Sequence, residues 1–487
     1  MKNTITVRFL KKLSKKEIKG LEAFVENPYF NPNQDIAVLY KYIDQFAPNY
    51  NQTDFIAEHA FDAVYPNKIF DAVAHNRLMS KLYAVIKKFI HCLYTNSDPA
   101  ETELKVLRFC NERYRERFDN QLKKVRGLAD KEKGNKFYRY TLGIELAVED
   151  YLAFFPRETN FTESSIALDK YYWLSKLPLF CGMLNRQIVI GVKYDISDLD
   201  SYLEFLEKIE YTRFPLIELW YCLAKILKNI VDKMPPEHQD YLKFKTLFFK
   251  NKNDLGENEL RNLYIFLKNI INRTSITDDD YYHELFDLDK LGLSEKLIFI
   301  QGQLRPQSIK NILNTAIRIG NITWAKNFLT KYKEVFWHEH ADDILLYSKA
   351  MISFHEGHHA KALQNLEDVT YQDIFFRLGK KRLQIQIYYE MEDLESFDKH
   401  INNFKVFLSR NQDKIGDIHV LSNRDFIKHI IKIYYILKQD TQKIAKLEEK
   451  IYKTSTRLLP EKKWLLDKLD ELNCCRIRPT SPSYTNP

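Results

Sequence analysis

Residues 344–366 of this 487-residue chain read as two amphipathic helices joined at a single glycine, Gly357. Ala350 and Ala362 flank that glycine, at the positions where two helices must come close together. Apolar residues recur every three to four positions on both sides, which is the period of a helix buried along one face. Neither helix can cover its apolar face alone, so such a unit must stack against copies of itself. The pattern therefore predicts a helical hairpin inside an array.

The rest of the chain is written in the same way. Only 13 residues are glycine and 15 are proline, so few tight turns can be made and the elements must be long. The 32 Phe, 30 Tyr and 5 Trp residues supply apolar area for many inter-helix contacts. The expectation is an all-α protein. Its C-terminal half is read as a helical-repeat α-solenoid, preceded by an N-terminal helical module.

Punctuation suggests the organisation. Ser14-Lys15-Lys16-Glu17 is a capping box that opens the first long helix. Thr95-Asn96-Ser97-Asp98-Pro99 marks the end of an N-terminal module, residues 1–96. A middle helical region spans 97–275, with one apolar stripe running through Leu107, Cys110, Tyr114, Phe118, Leu122, Val125 and Ala129. Helices are predicted over 162–177 and 179–189, split at Pro178, and Ile188-Val189-Ile190 is the one strand-like run. Residues 276–305 read as an irregular acidic linker around Asp278-Asp279-Asp280. Hairpins follow over 306–472, and the Pro- and Ser-rich end, 473–487, reads as a disordered tail.

Within 306–472 the junctions repeat. Gly320 closes one helix, Gly357 another 37 residues later, and a third junction falls near Glu392, 35 residues further on. Ala350, Gly357, Ala362 and Leu366 are spaced by 7, 5 and 4 residues; so are Leu313, Gly320, Ala325 and Leu329, and Ile385, Glu392, Phe397 and Ile401. In period and offsets these residues resemble the tetratricopeptide-repeat superfamily. Leu313 is larger than the family's small first residue, and the third unit keeps only the apolar phase. The run Leu168–Arg186, with Tyr171-Tyr172-Trp173 and Cys181-Gly182-Met183, is similar to helical proteins of low-GC bacteria. The resemblance implies a scaffold that binds a protein or peptide along a concave surface, with no catalysis and no cofactor.

Two other patterns bear on function. His355-Glu356-Gly357-His358-His359 matches the His-Glu-x-x-His pattern of zinc proteases, in which two His on one helical face hold zinc and Glu activates water. Here Gly357 falls between the histidines at the hairpin turn, which separates them onto two helices. Lys361 stands where zinc-protease helices continue apolar, and no third ligand is identifiable. His338 and His340 lie about 21 Å away, at the other end of the intervening helix. Solvated histidines at a hairpin tip, and no metal site, are the expectation.

The chain carries a net charge of +8, and residues 105–139 hold twelve basic against five acidic residues. Arg113, Arg115, Arg117, Lys123, Lys124 and Arg126 offer an alternative function, tracking a nucleic-acid backbone from one basic helix. Interleaved Glu112, Glu116 and Asp119 favour a solvated, locally paired face instead. The residues of 1–20 form no apolar leader, and no stretch of about 18 apolar residues occurs, so no membrane association is predicted. Six cysteines without a Cys-x-x-Cys pair suit a reducing, cytoplasmic setting.

Overall fold

A computed structural model describes residues 1–155, 161–234, 236–274, 277–435, 441–454 and 459–474. Among them are 24 α-helices and no β-strand, only isolated bridges at Ile300–Gln303 and Leu304–Phe336. The protein is all-α. The chain divides into two compact units, Met1–Ser175 and Lys176–Pro487.

The first unit contains two apolar clusters. Helices α1 (Ile5–Leu10), α2 (Lys15–Glu26), α3 (Gln34–Asp44), α4 (Ala57–Val64) and α5 (Ala72–Asn96) surround one, centred on Leu39, Tyr40, Leu82 and Ile86. The capping box that opens α2 is formed: Glu17 N–H donates to Ser14 Oγ at 3.3 Å, and Ser14 N–H to Glu17 Oε2 at 2.6 Å. Helices α6 (Pro99–Arg113), α7 (Phe118–Ala129) and α8 (Gly134–Leu152) surround the second cluster, around Leu107, Phe118 and Val125. The break at residues 96–98 thus separates two cores inside one unit. It is not the boundary between units.

That division falls instead within α9 (Thr162–Ile190), which runs without interruption past Pro178. The predicted split at Pro178 is corrected by burial. Leu177, Phe180, Cys181 and Leu184 are all buried on consecutive turns, and that packing offsets the backbone hydrogen bond lost at proline. Ile188–Ile190 form the last helical turn and no strand.

The one basic helix expected within residues 105–139 is also corrected. It breaks at Tyr114 and passes through a 3₁₀ turn, Arg115–Arg117, into α7, so α6 and α7 form a hairpin.

In the second unit come α10 (Leu199–Lys208), α11 (Pro215–Val231), α12 (His238–Asn251), α13 (Glu257–Ile271) and α14 (Asp278–Ser294). The last of these occupies most of the expected linker 276–305. Thr277 caps it, its Oγ1 accepting from Asp280 N–H at 3.2 Å. The acidic run lies in the first helical turn, where negative charge complements exposed amides and the positive end of the helix dipole. Only 295–305 remains irregular.

Helices α15 (Pro306–Arg318), α16 (Ile322–Tyr332), α17 (Ala341–His355), α18 (His359–Glu367), α19 (Ile374–Glu390) and α20 (Leu394–Arg410) then form three successive hairpins. A short α21 (Gln412–Ile415) leads to α22 (Asp417–Tyr435), α23 (Thr441–Lys453) and α24 (Lys462–Cys474). The last helix takes Asn473 and Cys474 from the expected tail; residues 475–487 lie outside the described residues.

All three hairpins turn by the same hydrogen bonds. Asn321 N–H donates to Ala316 O, His358 N–H to Ser353 O and Asp393 N–H to Tyr388 O, at 2.8, 2.8 and 3.1 Å. One residue earlier, Gly320, Gly357 and Glu392 donate to Ile317, Phe354 and Tyr389. This is the Schellman closure, which requires a left-handed residue after the helix end. The φ angles are +78° at Gly320, +79° at Gly357 and +56° at Glu392. Ala350, Ala362 and Leu366 are fully buried, and their counterparts Leu313, Ala325, Ile385, Phe397 and Ile401 are also buried. Leu363, next to Ala362, is only half-buried against the edge of this core.

A pair of opposite substitutions follows. A Cβ at Gly357 meets open space, so Gly357→Ala costs only backbone strain, about 1 kcal/mol. Glu392→Gly removes that strain and should stabilise its own hairpin by a few tenths to about 1 kcal/mol. Hydrogen exchange of the flanking hairpin amides measures both local opening energies.

Candidate functional site

In the three hairpins, α15, α17 and α19 are the first helices, and one face of each is left uncovered by its own partner. With α13, α14, α22 and residues 460–467 these faces enclose a concave cavity of about 870 Å³. That volume falls within the roughly 300–1,000 Å³ of ligand-binding clefts.

Helix periodicity builds the wall. On α15, Ile309, Ile312, Leu313 and Ala316 are buried, while Gln307, Asn311, Asn314 and Arg318 follow one another along the opposite, cavity-lining face. Gln307 Nε2 donates to Asn311 Oδ1 at 2.8 Å, which orders the amides along the helix. Asn269 and Asn272 on α13 and Gln386 on α19 add further amides. An amide side chain both donates and accepts, so this wall matches the alternating groups of a peptide backbone.

The floor is charged and tied together. Arg382 on α19 donates through Nε to Glu461 Oε1 at 2.8 Å and through Nη2 to Glu461 Oε2. Its third nitrogen reaches Asn423 Oδ1 at 3.1 Å and Ser422 Oγ at 3.4 Å on α22. The guanidinium lies 4.7 Å from the centre of the Phe426 ring. Lys268 Nζ donates to the fully buried Asp289 at 2.5 Å. Arg318 donates to the Tyr282 hydroxyl and stacks 4.5 Å from that ring.

Lys310 is hemmed in beside Arg382 and donates to Phe375 O at 3.1 Å. Burial pushes its ammonium down to about 8; Arg382 adds repulsion, and Glu461 and Asp373 partly offset it. Burial also lowers the His419 pKa, helped by Lys310 and Arg382. Gly379 makes room for this cluster: a Cβ there would lie 2.5 Å from the Tyr347 hydroxyl and 2.7 Å from Lys310 Nζ.

The sequence motifs fall elsewhere or apart. His355 ends α17 and His359 begins α18, on either side of the Gly357 turn. Glu356 pairs with Lys326 of the preceding hairpin at 2.5 Å. His355 lies on the cavity rim, where the surrounding protein, with Arg318 nearby, lowers its pKa. The His340 ring packs 4.2 Å from Tyr371 at the far end of α17. No group of three or more His, Cys, Asp or Glu side chains is placed to hold a metal ion among the described residues.

The basic segment 105–139 is distributed over α6, the 3₁₀ turn, α7 and the start of α8. Lys124 pairs with Glu103 at 2.7 Å, Arg126 with Glu145 at 3.2 Å, and Lys136 with Glu132 at 2.8 Å. Arg115 stacks 3.3 Å from the centre of the Phe154 ring.

None of the cavity-floor residues was singled out by a motif. The one signal that marks the wall is the polar stripe Gln307, Asn311, Asn314, Arg318, opposite a buried apolar face. No helix is long and apolar enough to cross a membrane among the described residues. Compared with known proteins, the chain matches no family model, no curated protein and no solved structure.

Proposed function

We propose that this chain is a non-enzymatic helical-repeat scaffold that holds an extended segment of a partner protein in the concave cavity of its second unit. The observation that carries this reading is the row of cavity-lining amides on α15, Gln307, Asn311 and Asn314, facing a floor on which Arg382 is paired with Glu461 and Lys268 with Asp289. An extended peptide satisfies such amides with its own N–H and C=O groups, and its side chains fill the spaces between helices. The repeated Schellman turns and the 7, 5, 4 spacing support placing the array with tetratricopeptide-like repeats.

Nucleic-acid binding through 105–139 has less support, because the segment is divided among helices and several of its cations are paired.

The test is a screen of unstructured peptides against the whole chain, followed by hydrogen exchange with a bound hit. Protection is expected over 307–318 and 375–386. Asn311→Ala/Asn314→Ala should weaken binding about tenfold, two hydrogen bonds contributing roughly 0.5–1.5 kcal/mol each. Unchanged affinity in that variant, or protection confined to other helices, defeats the reading.

A further inference from the structure

A second recess lies outside the concave cavity, between α20 and α22, with a volume of about 360 Å³. Its floor is aliphatic: Leu408 and Ile427 are almost fully buried, and Ile431 is half-buried. Its rim is cationic: Lys405 on α20 faces Arg424, Lys428 and Lys432 on α22. No carboxylate lines the recess, and none of the four cations forms an ion pair among the described residues. Arg424 meets only the neutral Gln412 side chain, at 3.3 Å.

The three α22 cations recur every fourth residue. They form a row about 12 Å long, with roughly 6 Å between neighbours. Four like charges held together repel one another until an opposite charge arrives.

We infer that this recess docks an acidic amphipathic helix of a partner protein. An aliphatic side chain of the partner enters between Leu408, Ile427 and Ile431, while carboxylates one helical turn apart meet Arg424, Lys428 and Lys432. Both halves of the recess select this occupant. Nucleic acid satisfies the rim but carries no aliphatic group for the floor, and the lining has no aromatic ring on which a base stacks. An anionic membrane also satisfies the rim, yet a flat surface does not reach a recessed floor. A helix with carboxylates spaced by four residues and one protruding leucine fits both.

The test uses the full chain and a fluorescein-labelled 18-residue amphipathic peptide of Glu and Leu. Comparison probes are a Glu/Ser peptide, a Lys/Leu peptide, a 20-nucleotide single-stranded DNA and phosphatidylserine vesicles. The Glu/Leu peptide is expected to bind at least tenfold more tightly than either other peptide. Lys428→Glu/Lys432→Glu should weaken it by at least tenfold, and Ile431→Gln should reduce its advantage over Glu/Ser. Helical content by circular dichroism checks the fold of each variant; Lys405→Glu, on the neighbouring helix, tests the same rim independently. Equal binding of Glu/Leu and Glu/Ser overturns the proposal, as does indifference to the rim variants. Tighter binding of DNA or vesicles with the same rim dependence overturns it in favour of those partners. Asn311→Ala/Asn314→Ala should leave this binding unchanged, so its outcome is separate from that of the concave cavity.

Discussion

Arg382→Met should destabilise the second unit by roughly 3–5 kcal/mol, among the largest effects of any single substitution in this chain. The guanidinium and the Glu461 carboxylate are only 10% and 14% exposed, so solvent screens their pair little. Methionine fills most of the volume but leaves Glu461 as a carboxylate in a crowded floor with no cation in bonding range. It also strips Asn423 of a donor and detaches α19 from α22. Arg382→Met/Glu461→Leu should recover most of the loss, because the cost comes from the charge left behind. Urea unfolding of the full chain, with hydrogen exchange over α19 and α22, measures both. A loss below about 1 kcal/mol for the single variant would mean that the pair behaves as an exposed one.

Lys268→Met should have a comparable cost, with a pH dependence that identifies its source. Asp289 is fully buried and takes its charge compensation from Lys268. Burial raises its pKa above the ordinary 3.8, and Lys268 offsets part of the rise. A carboxyl with a folded pKa above its unfolded one binds its proton more tightly in the folded state. Its ionisation therefore costs stability near neutral pH, and the cost is relieved as pH falls through the folded pKa toward 3.8. Without Lys268 the folded pKa rises further and relief begins at higher pH. The deficit of Lys268→Met, roughly 3–5 kcal/mol at pH 7, should thus shrink on mild acidification. Lys268→Met/Asp289→Leu should show neither the deficit nor that recovery. A deficit independent of pH would assign the loss to packing.

The legible parts of this fold share a cause. Gly320 and Gly357 are readable because a left-handed residue closes each turn and glycine adopts that conformation without strain. The third turn uses Glu392, which carries no such signature; only the spacing of 35 residues revealed it. The misreadings are equally physical. Cys110, Tyr114 and Phe118 are spaced by four, so the apolar stripe continues through the break at Tyr114 and hides it. Asp278-Asp279-Asp280 has the composition of a linker, yet a capped helix N-terminus favours the same residues.

What the sequence by itself determined is therefore local: helix period, caps, turn glycines and the buried face of each hairpin. These depend on interactions within a turn or two of chain. The cavity was decided by tertiary structure. Arg382 and Glu461 are 79 residues apart, and Lys268 and Asp289 lie on different helices. Each looks like an ordinary solvated charge until stacking brings the inner helices together. Burial then removes water from the pair, and the partner brought in by the fold supplies the opposite charge that water no longer screens.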